Sequence, residues 1–139
     1  MTEIQFHHEA PDKLLAACQL IDAAWRQGRR ILVYAPQTGV AAQIDKLLWT
    51  QSALSFIPHC RNESPLAAET PVVIGASLDD ASHHDVLLNL DGELPSGFSR
   101  FEQLIEIVGR DEEDKQAARV RYKFYKERGY PLSAKPFSA

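Results

Sequence analysis

Four short runs of this chain are apolar almost throughout: Arg30–Ala35, Val72–Ala76, Val86–Leu90 and Leu104–Val108. A strand with one wet face alternates polar and apolar residues. A strand that stays apolar is covered on both faces, which is the condition of a parallel sheet between helices. Between the runs lie stretches with helical spacing. Lys13–Gln27 carries Leu14, Ala17, Cys18, Ile21, Ala24 and Trp25 on one side, with Asp12 as N-cap and Gly28 as the stop. A second helix is expected from Thr38 or Gly39 to about Thr50, with Val40, Ile44, Leu47 and Leu48 inward. Asp111 is expected to cap a long last helix ending near Arg128. Ile4–His7 and Ser55–Pro58 read as further short strands, and Pro65–Thr70 and Asp79–Asp85 as loops.

Strands alternating with helices predict an α/β fold, a three-layer α/β/α arrangement with a mostly parallel central sheet and helices on both faces. Its crossovers should be right-handed, and a ligand should sit beyond the carboxyl ends of the strands. The architecture is Rossmann-like but without a nucleotide-binding fingerprint. The first strand–loop–helix, Val33-Tyr34-Ala35-Pro36-Gln37-Thr38-Gly39-Val40, holds one glycine where a dinucleotide site needs three. No repeat, linker or low-complexity tract divides the 139 residues. One domain over 1–139 is expected, with 130–139 as a C-terminal tail.

Charge is unevenly spread. Residues 115–139 hold seven basic residues and one acidic one, a balance of +6, while residues 1–114 stand at −10. A duplex binder usually presents a basic face, so this layout points instead to a local anion site. Its candidate ligands are a phosphate, a single strand or an acidic peptide. The two cysteines, Cys18 and Cys60, are too few for a disulfide scaffold or a cysteine-only zinc site. They fit a reducing cytoplasm. No leader and no run long enough to span a membrane is read in the sequence, so secretion and membrane insertion are not expected.

The chemistry-bearing residues are sparse. His7-His8, His59-Cys60 and His83-His84 lack the spacing that lets ligands converge on a metal. Adjacent strand residues point to opposite faces. Asp79-Asp80 sits in a polar loop, and there is no nucleophile elbow. No catalytic, metal or cofactor site is expected. Two segments remain. Trp49, Phe56 and Ile57 lie in and after a helix end, where they either close the core or present an apolar patch to a partner. Lys115, Arg119, Tyr122 and Lys126 follow i, i+4, i+7, i+11 along one helical stripe. Ala118, Tyr122 and Tyr125 make an adjoining stripe that packs on the sheet. The basic stripe is either a solvated face or a site for an anion that also carries an apolar group.

Gln43-Ile44-Asp45-Lys46-Leu47-Leu48-Trp49, followed by Ser55-Phe56-Ile57-Pro58-His59, resembles the chi subunit of bacterial DNA polymerase III. So does Lys115-Gln116-Ala117-Ala118-Arg119-Val120-Arg121-Tyr122-Lys123-Phe124-Tyr125-Lys126 with Gly129-Tyr130. The likeness runs through the whole chain in order. It departs at Phe6-His7-His8-Glu9, where the family often has Phe-Tyr-x-Leu, and between Cys60 and Pro71.

The resemblance implies a non-catalytic accessory subunit of the replicative polymerase, cytoplasmic and working at replication forks. It implies two partners. One is the psi subunit of the clamp loader, on a surface that falls on Trp49, Phe56, Ile57 and Pro58. The other is single-stranded DNA-binding protein, whose acidic C-terminal tail ends in a phenylalanine carboxylate. Its site falls on Val108, Lys115, Arg119 and Tyr122. Charge and spacing add Arg121 and Lys126. DNA is then reached only indirectly, and a helicase or repair protein is a competing partner left open for the aromatic surface. The rival readings are a direct single-stranded nucleic-acid binder using the same cations and tyrosine, or a small α/β enzyme.

Overall fold

The computed structural model of the chain describes residues 1–50, 57–61, 64–79, 81 and 83–137. Seven strands form one sheet: β1 (Glu3–Ala10), β2 (Ile31–Tyr34), β3 (His59–Arg61), β4 (Val72–Gly75), β5 (Val86–Asn89), β6 (Gln103–Gly109) and β7 (Leu132–Pro136). Their order across the sheet is β3-β4-β2-β5-β6-β1-β7. All six pairings are parallel. The α-helices among the described residues are α1 (Lys13–Arg26), α2 (Thr38–Thr50) and α3 (Glu112–Glu127).

Period-two alternation divides the apolar strand residues between two cores. Ile31, Val33, Val72, Ile74, Val86, Leu88, Ile105 and Ile107 face α1 and α2, meeting Ile21, Ile44 and Leu48. Leu32, Val73, Leu87, Leu104, Ile4 and Phe6 face the other way, meeting Phe98, Phe101, Ala118 and Tyr125. Continuously apolar strands are thus the signature of a sheet with no wet face, and the three-layer expectation holds.

The helix ends follow local chemistry. The Asp12 carboxylate accepts from the N–H groups of Leu14 and Leu15 at 3.1 and 3.2 Å, a cap worth about 1 kcal/mol. Gly28 and Gly129, at φ +76° and +79°, take the left-handed conformation that ends α1 and α3. After α3, Gly129 N–H donates to Lys126 O and Tyr130 N–H to Tyr125 O. That paired turn reverses the chain toward β1.

Two expectations need correction. The segment after Gly129 is not a tail along its length, because Leu132–Pro136 is the edge strand β7, paired with Ile4–His8 of β1. Its alternation was too short and too polar to register in the sequence. Of the strand expected at Ser55–Pro58, the described half is not a strand, and β3 follows it at His59–Arg61. Ser55 and Phe56 lie outside the described residues, and Ile57 and Pro58 are not in a strand.

Candidate functional site

The start of α3 is pinned at two points. Asp111 caps it, its carboxylate accepting from Glu113 N–H at 3.4 Å. Asp114 accepts the Gly109 N–H at 2.7 Å and pairs with Lys13 Nζ at 2.9 Å. Acidic residues in a first helical turn also meet the positive end of the helix dipole. These contacts tie the helix start to the end of β6 and the start of α1. They leave Lys115 and Arg119, on the next turns, above the carboxyl ends of the strands.

Beneath them is a cavity of about 270 Å³. Phe6 and Ala134 come from β1 and β7, Val108 from β6, and Ala118 and Tyr122 from α3. Lys115 and Arg119 supply cations, and His8 and Glu9 complete the lining. The Phe6 and Tyr122 rings meet edge to face, with centroids 5.3 Å apart. The β1–β6 register slips between His7 and Ala10. Glu9 there has φ +59°, a left-handed conformation, and such strain in a non-glycine residue concentrates at functional sites. The slip brings both His8 and Glu9 to the cavity, although adjacent strand residues normally diverge.

Val108, Lys115, Arg119 and Tyr122, four residues named from the sequence, therefore share one cavity. Lys126 is exposed but not part of its lining, since eleven residues carry it about 16 Å along the helix from Lys115. Arg121 is a correction. Its side chain is buried and its Nε donates to Glu106 Oε2 at 3.1 Å. Charge composition pointed outward, but the inner stripe of α3 is Ala118, Arg121 and Tyr125.

On the aromatic segment, Trp49 is 57% exposed. Its ring meets that of His59 at 4.9 Å, and His59 Nε2 lies 3.0 Å from Asp45 Oδ1. Ile57 is a second correction: it is 6% exposed and belongs to the core with Leu48 and Ile44. Pro58 is half-buried, and Phe56 lies outside the described residues.

Residues 1–133 match the family model described as DNA polymerase III chi subunit, HolC. The chain belongs to this chi-subunit family. It is 34% identical to DNA polymerase III subunit chi of Pseudomonas aeruginosa over 136 residues, which cover 95% of this chain and 94% of that protein. The chi of Haemophilus influenzae is 32% identical, over 84% of this chain and 82% of its own length. That of Escherichia coli is 28% identical, over 84% and 80%.

In this chi-family chain the most heavily buried polar group was not singled out from the sequence. Glu106 Oε2 accepts from Arg121 Nε at 3.1 Å, from Tyr125 Oη at 2.6 Å and from Asn89 Nδ2 at 3.2 Å. Arg121 Nη1 also donates to Gly92 O at 2.7 Å. Burial pushes the Glu106 carboxyl above its usual range, while Arg121 and the hydrogen bonds from Tyr125 and Asn89 pull it back. This cluster locks α3 onto β5, β6 and the turn at Gly92, so it holds the cavity wall in place. The available signal was a lone acid inside the apolar run Leu104–Val108, which has to find a cation or stay protonated.

Elsewhere, the loop from Val33 to Val40 borders a cavity of about 70 Å³ with Thr38, Arg61 and Gly75 in its lining, far below the ~300–1,000 Å³ of small-ligand sites. Among the described residues no three His, Cys, Asp or Glu side chains are grouped to hold a metal ion. Among the described residues no helix is long and apolar enough to cross a membrane.

Proposed function

We propose that this chain is a non-catalytic accessory subunit that bridges the clamp loader, through the psi subunit, to the acidic C-terminal tail of single-stranded DNA-binding protein. The observation that carries the reading is the pairing of two cations with an apolar cavity: Lys115 and Arg119 beside Phe6, Val108, Ala118 and Tyr122. A tail of carboxylates ending in phenylalanine presents matching groups. Charge-assisted hydrogen bonds to the cations contribute about 1.5–3 kcal/mol each where well formed. Burying one aromatic ring adds about 1.5–3 kcal/mol. After the cost of ordering the tail, micromolar affinity, about −8 kcal/mol, is the expected scale. The exposed Arg119–Glu112 pair, at 3.6 Å, is weak enough for a ligand to displace.

The psi contact is assigned to the surface around Trp49, with Pro58 and Phe56 beside it in the sequence. An exposed tryptophan is a typical interface anchor. The −10 body disfavours a bare strand as ligand, since a strand leaving the cations meets repulsion. A calorimetric titration separates the two. The protein is titrated with an acidic peptide ending in a phenylalanine carboxylate, and separately with a bare oligonucleotide. Peptide binding without oligonucleotide binding supports the bridge. The reverse result establishes a direct nucleic-acid binder.

A further inference from the structure

β7 pairs with β1 on one side and has no strand on the other among the described residues. In a parallel ladder, successive residues turn their backbone groups alternately to the two sides. Ile4 N–H donates to Pro131 O, and Phe137 N–H donates to His8 O, so residues 131, 133, 135 and 137 turn toward β1. Leu132 and Ala134 consequently turn N–H and C=O groups to the open side, and Pro136 its C=O.

That open edge runs into the cavity. Ala134 is part of the cavity lining, and its methyl group is the whole of its side chain. Leu132, on the same face, packs against the second core, to which Phe6 and Tyr125 belong. The helix wall packs on β6 and meets Phe6 of β1 through Tyr122, and Ser133–Pro136 of β7 are exposed. Lys115 and Arg119 lie near the carboxyl ends of the strands, because Asp114 is bonded to Gly109 there.

We propose that the tail peptide docks as an eighth strand on the free edge of β7, parallel to it. Its terminal aromatic side chain turns over Ala134 into the cavity, and its carboxylate reaches Lys115 and Arg119. This rests on the tail-binding reading above and adds to it backbone pairing, a defined edge and a direction. A strand added to an exposed sheet edge gains affinity from main-chain hydrogen bonds and specificity from side-chain pockets. The direction follows from charge, since a parallel strand brings its C-terminus to the cations. The same charge disfavours a second copy of this chain, which would set one +6 segment against another. Pro136 limits the outward donors of this strand to Leu132 and Ala134, so only a short stretch of peptide pairs.

The test uses the full chain and a synthetic acidic peptide ending in phenylalanine, N-methylated at one backbone nitrogen at a time. An N-methyl group removes a donor and blocks an edge. Methylation at alternate positions near the C-terminus should weaken binding about tenfold, with the intervening positions within about twofold of the parent. Uniform tolerance of methylation, with the parent peptide bound, overturns the strand pairing and leaves the tail site standing. Failure of the parent peptide to bind overturns the tail reading and this inference with it. Direction is read from a nitroxide at the peptide N-terminus. It should broaden the amide signal of Leu132 more than that of Phe137, and the opposite order overturns the parallel arrangement.

Discussion

Arg121 Nε donates to Glu106 Oε2 across 3.1 Å, with 3% and 0% of the two side chains exposed. Arg119, two residues earlier on α3, has 63% of its side chain exposed. Two residues turn a helix by about 200°, so neighbouring arginines of one basic segment do opposite work. Arg121→Met strands a buried carboxylate and should cost about 3–5 kcal/mol of stability. Adding Glu106→Gln should recover a large part of that loss, because the uncompensated charge is gone. Urea unfolding of the two single variants and the double variant measures the coupling. Equal losses in Arg121→Met and in the double variant would contradict the account.

Arg119→Glu should weaken the acidic peptide by about tenfold or more, since one charge-assisted contact becomes a repulsion. Its stability should stay within about 0.5 kcal/mol of wild type, as for an ordinary surface change. Lys126→Glu, beyond the cavity, should weaken the peptide by less. Peptide affinity unchanged by Arg119→Glu removes the cavity from the proposed function.

Salt separates the two parts of the site. Charges at an exposed surface are screened over about 10 Å at 0.1 M salt. Peptide affinity should fall as salt rises and then level off, because burial of the aromatic ring is not screened. A dissociation constant indifferent to ionic strength would exclude the contribution of Lys115 and Arg119.

Trp49→Ala should cost about 1–2 kcal/mol, against about 3–5 for a fully buried tryptophan, because more than half of the residue is already in solvent. The variant should lose psi and keep the peptide, since α2 and α3 pack on opposite faces of the sheet. Pull-down of psi at wild-type levels by this variant would return Trp49 to a purely structural role.

Acid should destabilise the fold before the carboxylates titrate. Burial, with Arg30 adding repulsion, lowers His83 from 6.5 to about 4, outweighing the opposite pull of Asp85. His7 is lowered too, chiefly by burial, then by Lys135 and His8. Between pH 6.5 and 4 the unfolded chain therefore holds a proton that folded His83 does not, and stability falls as pH falls. The contribution is complete above pH 6.5 and amounts to about 2 kcal/mol lost by pH 5. Urea midpoints at pH 7.5 and pH 5 measure it, and His83→Gln should flatten the slope. An unchanged slope in that variant would remove His83 as the cause.

The runs Ile31–Tyr34, Val72–Gly75 and Val86–Asn89 were legible because a strand buried on both faces is mostly apolar, with a polar residue such as Asn89 kept only where it finds a partner. Asp12 and Asp111 were legible because capping is local. The stripe of Lys115, Arg119 and Tyr122 was legible because helical spacing alone sets which residues share a face. What those three face was not. Phe6, His8 and Glu9 join them through β1, about a hundred residues back in the chain, and Ala134 joins them through β7, which only pairing with β1 brings alongside. The same limit hid the burial of Arg121. Its charge says water, and its interior place depends on Glu106 of β6 lying opposite, held also by Tyr125 from the next turn of α3. Sequence by itself determined the layers, the caps and the faces, because propensity, capping and periodicity act within a few residues. Tertiary structure decided which arginine meets solvent and which residues close the cavity, because the partners that settle each sit on other strands, beyond the few residues over which local rules act.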